Sequence, residues 1–428
     1  MVNKIKVLTI SVNAWNDTMA TGNTFSNFLG ALQKGEVANI FCRSEIPDNN
    51  ICNKYFRITE GDIIKGLISF NKAGDIFQYN NKDKNNNSYN SSVDIYKHIK
   101  NYRPTILLFI REMLWSSGIW KSNKLSYFLS EFDPDIIYMH GHNGYYMHKI
   151  LKYCHMETKA KIVLFFGDDM YGYKVWNPIK NLYQFYMRKW LKQSIMMADL
   201  LYGGSKPLCN EYSEIFNKEF HLLQKGCSFE NRDINKIKDL PIKITYAGNL
   251  LYGRWKLLAI LAREIEQINK QQISKIILEI YTQTIPTKEM DNALTINGIS
   301  IVKGSIPYEE VKQVLSESDI VLHVESFEKK QREITRLSFS TKIIDCMQSG
   351  NCVMAIGPKD VASMQYIIDT EAALVVTSPA EIKKILKEIL DTPEIIQKNA
   401  RKMNLFARKF HNINEVQQKI RNDFESIK

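Results

Sequence analysis

Apolar positions along the chain fall into two kinds of stretch. Short runs rich in Val, Ile and Leu, at 5–12, 38–42, 135–140, 161–166 and 199–202, predict strands apolar enough to be buried on both faces. A second series follows Pro241, at 242–247, 275–281, 299–302, 319–325, 351–356 and 373–377. Between the runs the spacing turns helical. Residues 23–33 put Phe25, Phe28, Leu29 and Leu32 on one face, and helices follow from Tyr145, after Tyr252, over 308–316 and over 342–348. Residues 13–22 read as a polar loop and 326–339 as a charged loop. Strand, loop and helix in alternation predict an α/β fold of parallel sheets. Two such series give an N-terminal Rossmann-like domain over 1–228, a linker over 229–240, a C-terminal Rossmann-like domain over 241–405 and a helical tail over 406–428. Two α/β halves joined by a linker imply a cleft between them.

Charge changes this picture more than composition does. A net charge of +11 favours anionic partners: nucleic acid, acidic headgroups or phosphorylated substrates. The seven cysteines are odd in number and scattered, with no CxxC, which argues against a disulfide framework or a zinc site and for a reducing compartment. The apolar run in MVNKIKVLTISV is too short for a signal peptide, and no stretch reaches the length of a membrane span. The expected location is cytoplasmic, with any membrane association peripheral.

The densest candidate chemistry lies in 319–358, a strand, loop, helix and strand. Ser340 and Thr341 stand where an N-cap belongs, so the helix from Lys342 would present free N–H groups to an anion. Arg332, Arg336 and Lys342 add fixed charge. Asp345 follows Thr341 by one turn and can accept from a ribose diol. A capped surface helix with solvated charges is the bland reading of the same residues. A second basic site, Gly248 with Arg254 and Lys256, opens a helix after a strand and can clamp a diphosphate; a solvated helix start is its alternative.

In the first half His140, His142, Asp168 and Asp169 all sit where strands end, the usual place for ligands in an open α/β sheet. Any of them can serve as a general base or sugar-hydroxyl acceptor, or as a structural hydrogen-bonder. Gly22 either lets backbone approach a phosphate or serves a turn. There is no GxGxxG. Segments 102–132 and 178–197 mix basic, aromatic and aliphatic residues. In the second, Leu182, Tyr183, Tyr186, Met187 and Trp190 share a face opposite Lys180, Arg188 and Lys192. Such helices suit a membrane surface, single-stranded nucleic acid, or a core with a solvated back. The Asn-rich run 79–92 reads as a surface loop.

Taken together, the motifs resemble those of GT-B glycosyltransferases, in particular the large family-4 group of bacterial surface-polysaccharide clusters. DIIYMHGHNG is similar to the strand-His element, KIVLFFGDD to the strand that ends in a His-Asp loop, and ADLLYGGSKPLCNEY to the strand-Ser element. LLQKGCSFE resembles the turn before the linker, YAGNLLYGRWK the glycine-cation motif and STKIIDCMQSGNCVMAIGP the donor motif. The resemblance implies two Rossmann-like domains facing across a cleft, with C-terminal helices that can cross back. It implies a donor held mainly by the second domain. Lys256 and Arg254 would contact the diphosphate, Asp345 the ribose, and Ser340, Thr341 and Lys342 the phosphates, while His140 would face the transferred sugar or the acceptor. The family's paired glutamates depart here: Asp345 replaces the second, Leu337 stands at the first, and Glu325 or Glu333 is the substitute. Asn249 stands where the family carries arginine, leaving that role to Arg254. No metal-binding DxD is evident, so no cofactor or obligatory metal is expected.

The resulting expectation is a retaining, metal-independent transferase. It would move a sugar from a UDP- or GDP-sugar to a glycan or polyprenyl-linked acceptor in capsule, O-antigen or exopolysaccharide assembly, with an anionic membrane surface as a further partner. The alternatives are a GT-B UDP-sugar epimerase and a non-catalytic nucleic-acid binder. The latter is disfavoured because the basic residues sit at helix starts rather than along one stripe.

Overall fold

The computed structural model describes residues 4–77, 105–172, 177–229, 241–271 and 275–428. The Asn-rich run 79–92, the linker at 230–240 and Arg103 lie outside them. The chain divides into two compact units. One is Met1–Gly204 with Cys209–Leu223 and Gln417–Lys428; the other is Ser205–Leu208 with Gln224–Val416.

The first unit is built on an eight-stranded sheet. Its strands are β1 (Val7–Ser11), β2 (Val37–Phe41), β3 (Lys54–Arg57), β4 (Asp75–Phe77), β5 (Ile136–His140), β6 (Lys161–Phe166), β7 (Leu200–Gly203) and β8 (His221–Leu222). They lie in the order β4-β3-β2-β1-β5-β6-β7-β8, parallel except for the β3–β4 pair. The helices are α1 (Ala20–Leu29), α2 (Glu60–Ser69), α3 (Thr105–Ser116), α4 (Asn123–Phe132), α5 (Tyr145–Thr158), α6 (Pro178–Met197) and α7 (Lys206–Phe216). Local chemistry sets several starts. Thr59 caps α2 in a reciprocal box with Asp62, Ser122 caps α4, and Asn177 caps α6 ahead of Pro178. Gln417–Lys428 joins this unit through Gln417 Nε2 to the Asn27 carbonyl at 2.9 Å and through buried Phe424 against Tyr138.

The second unit carries a six-stranded, fully parallel sheet in the order β11-β10-β9-β12-β13-β14. Its strands are β9 (Ile242–Ala247), β10 (Ile276–Tyr281), β11 (Ser300–Gly304), β12 (Ile320–Val324), β13 (Cys352–Ile356) and β14 (Leu374–Val376). Its helices are α8 (Arg254–Asn269), α9 (Lys288–Leu294), α10 (Tyr308–Ser316), α11 (Lys329–Thr335), α12 (Lys342–Gln348), α13 (Ala362–Asp369), α14 (Ile382–Asp391), α15 (Glu394–Phe410) and α16 (Ile413–Ile427), the last ending in the first unit. Alternate strand residues feed two cores. Ile320, Leu322 and Val324 of β12 meet α8 and α14, while Val321 packs with Ile343 and Met347 of α12. Both faces are covered, which is why these strands read as nearly unbroken apolar runs. Each buried Leu or Ile contributes about 1.5–3 kcal/mol, so these cores, not the exposed ion pairs at about 0–1 kcal/mol, hold the unit.

Three local expectations are corrected. The first helix begins at Ala20, so Gly22 lies inside it and not in a polar loop. It is glycine for packing: a Cβ there would stand 2.1 Å from the Asn16 carbonyl oxygen. The charged loop at 326–339 contains helix α11. On α6 the buried stripe is Tyr183, Met187, Leu191 and Ile195, which leaves Leu182 and Tyr186 outside, away from the face they were expected to share with Tyr183 and Met187.

Candidate active site

Strand order reverses between β9 and β12 in the second unit, and ligands of open parallel sheets bind beyond such a reversal, at the carboxyl ends of the strands. β9 ends at Ala247 and is followed by Gly248; β12 ends at Val324 and is followed by Glu325. The topology therefore brings together residues that are distant in sequence.

Arg254, at the first turn of α8, spans the reversal. Its Nε donates to the Val324 carbonyl at 3.0 Å, its Nη1 to Asn249 Oδ1 at 2.9 Å, and its Nη2 to both Glu325 oxygens at 3.1 and 3.0 Å. Both members of the pair are nearly out of water. Burial alone would push the Glu325 carboxyl up, but the His323 ring 3.4 Å away and the Arg254 guanidinium outweigh it and hold it below its ordinary value. Glu325 is thus ionised and fixes Arg254. Glu333, the other candidate for the missing glutamate, lies exposed on α11.

Lys342 comes to the same place from the start of α12. A Cβ at Gly248 would stand 2.6 Å from the Tyr246 hydroxyl and 3.1 Å from Lys342 Nζ, so glycine there lets the ammonium approach the backbone. Lys342 is half-buried. Burial, then the neighbouring charge of Arg254, lowers its pKa to about 8 against the opposing pull of Glu325 and Asp345. An ammonium so desolvated gains much from a bound anion.

The other donor-side residues are placed less uniformly. Asp345 is half-buried on α12 and acts electrostatically on Lys225, whose pKa burial lowers, and on Lys342. Lys256 is exposed and pairs with Glu328, which raises its pKa. Arg336 is half-buried at the end of α11, and its carbonyl accepts from Ala362 N–H at 2.8 Å. The N-cap expectation for Ser340 and Thr341 is corrected. Thr341 already has helical backbone angles (φ −60°, ψ −18°) and its side chain caps nothing. The first turn closes instead through Ile343 N–H to the Ser340 carbonyl at 3.0 Å and Ile344 N–H to the Thr341 carbonyl at 3.1 Å. With those N–H groups engaged and only seven residues in the helix, side-chain cations supply the positive charge here, rather than a dipole.

The first unit has its own reversal, between β1 and β5, and His140 ends β5 there. Its Nε2 lies 3.1 Å from the Tyr138 hydroxyl, and its ring packs edge-on against Phe25 and beside Phe165. His142 accepts from Gly144 N–H at Nδ1, and burial, then His148, lowers its pKa to about 3, so it stays neutral. Of the two aspartates after β6, Asp169 Oδ1 accepts from Tyr171 N–H, Gly172 N–H and the Tyr212 hydroxyl. It organises its loop, whereas Asp168 is exposed. Among the described residues no group of three or more His, Cys, Asp or Glu is placed to hold a metal ion.

Sequence reasoning missed three members of the donor-side cluster. His323 is visible only as a polar residue in an apolar strand; Tyr246 looks like core; Lys225 has no local signal, because only the fold brings it to Asp345.

Residues 287–422 match the family Glycosyl transferase-like, a stretch that includes Glu325, Arg336 and 340–345 but not Gly248, Arg254 or Lys256. Among curated protein sequences none matches the chain significantly. Solved structures are similar over its whole length. HepE of Anabaena in complex with UDP is 11% identical with a TM-score of 0.63, covering 99% of this chain and 100% of that one. The sucrose-phosphate synthase of Thermosynechococcus elongatus is 11% identical with a TM-score of 0.62, covering 99% of each chain. The α,α-trehalose-phosphate synthase (UDP-forming) of Burkholderia xenovorans, in complex with glucose-6-phosphate, is 11% identical with a TM-score of 0.58, covering 98% of this chain and 100% of that one. The fold is GT-B, and residues 287–422 in its C-terminal part are similar to the Glycosyl transferase-like family.

Proposed function

We propose that this chain transfers a sugar from a nucleotide-sugar donor to a glycan or lipid-linked acceptor in the assembly of a surface polysaccharide. The observation that carries this reading is the meeting of Lys342, Arg254 and Gly248 at the strand reversal of the second unit. A diphosphate seated beside Gly248 receives charge-assisted hydrogen bonds from Lys342 and lies in the field of an Arg254 held rigid by Glu325. As the bond to the sugar breaks, negative charge grows on the leaving nucleoside diphosphate, and these preorganised cations stabilise it without a metal. Asp345, one turn further along α12, takes the ribose, while Ser340, Thr341 and Arg336 line the phosphates. His140, with Asp168, faces the sugar or the acceptor, and the family resemblance implies retention of anomeric configuration. UDP is the first donor nucleotide to test, because HepE was solved with it; GDP is the second.

A thermal-shift series with UDP, GDP and ADP, on the natural chain and on Lys342→Met and Asp345→Ala, tests the site. One nucleoside diphosphate is expected to raise the melting temperature of the natural chain, and both substitutions are expected to blunt the effect. Indifference to all three nucleotides would refute the reading. Mass spectrometry with a panel of nucleotide-sugars then identifies the sugar. Conversion of the donor in the absence of any acceptor would point to an epimerase instead.

A further inference from the structure

Three helices of the first unit lie side by side, α3 packing against α2 on one flank and α6 on the other. Their outward faces carry large apolar side chains. On α3, Ile106, Ile110 and Met113 recur at helical spacing and are 55, 48 and 73% exposed. On α6, Leu182 and Phe185 are 53 and 63% exposed, and just past α2 Phe70 is 95% exposed. Aliphatic and aromatic surface gathered on adjoining elements marks an interaction site, whereas scattered single residues do not. The helices behind the face are locked together. Fully buried Glu112 of α3 accepts from Tyr146 N–H of α5 and from the Tyr183 hydroxyl of α6, both at 2.8 Å, and Phe109 packs edge-on against Tyr183.

Charge says what the face meets. Helix α6 carries Lys180, Arg188, Lys189 and Lys192 and no acidic residue. Lys189 and Lys192 are exposed and continue the stripe of Leu182 and Phe185 over the next two turns. Beside them Trp190 lies beneath Lys149 and Lys152, at 5.4 and 5.9 Å. Apolar side chains bordered by Trp and lysine fit the boundary between acyl chains and headgroups. A second copy of this chain fits poorly, because a two-fold contact would lay each lysine margin near its own counterpart.

We propose that this face of the first unit docks on an anionic phospholipid bilayer, with the apolar side chains of α2, α3 and α6 entering the acyl boundary and the lysines meeting the headgroups. The chain lies on the surface; no described helix is long and apolar enough to cross it. The inference is independent of donor binding, which belongs to the other unit.

The test is flotation of the full chain with vesicles of phosphatidylcholine alone and of an equal mixture with phosphatidylglycerol. The natural chain is expected to float with the mixture, to stay behind with phosphatidylcholine alone, and to be released by salt. Ile110→Glu with Met113→Glu is expected to abolish flotation. Lys189→Ser with Lys192→Ser is expected to weaken it about thirtyfold at low salt, since each lysine near such a surface contributes about fivefold. The nucleotide thermal shift should be unchanged in both. All these positions are at the surface, and circular dichroism confirms that the variants fold. No flotation of the natural chain, or flotation that neither pair of substitutions reduces, would overturn the proposal. So would a dimer that Ile110→Glu dissociates in the absence of any vesicle binding.

Discussion

Each sheet reverses its strand order once, and the two reversals are furnished in opposite ways. In the second unit the reversal holds charge: Arg254 and Glu325 bonded to each other, and Lys342 brought beside Gly248. In the first unit it holds rings: His140 among Phe25, Phe165 and Tyr138. The same topology therefore supports two chemistries. A desolvated, prepositioned cation pair suits a polyanion. The rings around His140 are buried and pack as core, so what this reversal offers a ligand is the partly exposed imidazole itself.

The largest expected effect that would test this contrast is on stability. Arg254→Ala leaves buried Glu325 with only the His323 ring beside it, and should cost about 3 kcal/mol in denaturant unfolding. A much smaller loss would mean that the pair is more hydrated than its burial implies. Next is Lys342→Met. It removes a charge-assisted bond to the diphosphate, so UDP affinity by calorimetry should fall about 10–150-fold. Because it also removes a poorly solvated ammonium, unfolding stability should hold or rise; a fall in both would make Lys342 a structural residue. His140→Ala comes third. It strips a ring from the aromatic cluster and a partner from Tyr138, for about 2 kcal/mol of stability. Sugar transfer should drop while UDP affinity stays within error, and a loss of UDP affinity would erase the division between the two units. Smallest is Asp168→Asn, an exposed change that should move stability by less than about 0.5 kcal/mol. Its effect on turnover decides whether Asp168 acts at the sugar.

Much of the scaffold was legible in the sequence because a parallel strand covered on both faces must be apolar at nearly every position. Strand β9 and helix α10 fall where the pattern puts them. The short strand β3 and the short edge strands β4 and β8 were not, since two to four residues at or next to an edge have little apolar surface to declare them. Nor was α11, whose sequence is mostly charged. At the site, Gly248, Arg254 and Lys342 were readable as glycine and cations following strands. What could not be read was partnership. Whether Arg254 would face solvent or Glu325, and whether Thr341 would cap its helix or already belong to it, depends on backbone angles and neighbours more than seventy positions away. The docking face was legible as amphipathic segments, but which stripe turned inward on α6 was decided by Glu112 and Tyr183, contacts that periodicity does not encode.

Proton linkage of UDP binding tests the account most directly. Burial puts the Lys342 ammonium at about 8, against an ordinary 10.5, so between those values the folded chain binds fewer protons than the unfolded one. From this group, ligand-free stability therefore rises with pH across that window, while UDP affinity falls as the ammonium deprotonates. Titration calorimetry at about pH 9, in buffers of different ionisation enthalpy, should show close to one proton taken up per UDP bound, because the diphosphate restores the charge on Lys342. The uptake should vanish in Lys342→Met. UDP binding without proton uptake, or with equal uptake in the variant, would contradict a donor site built on that lysine.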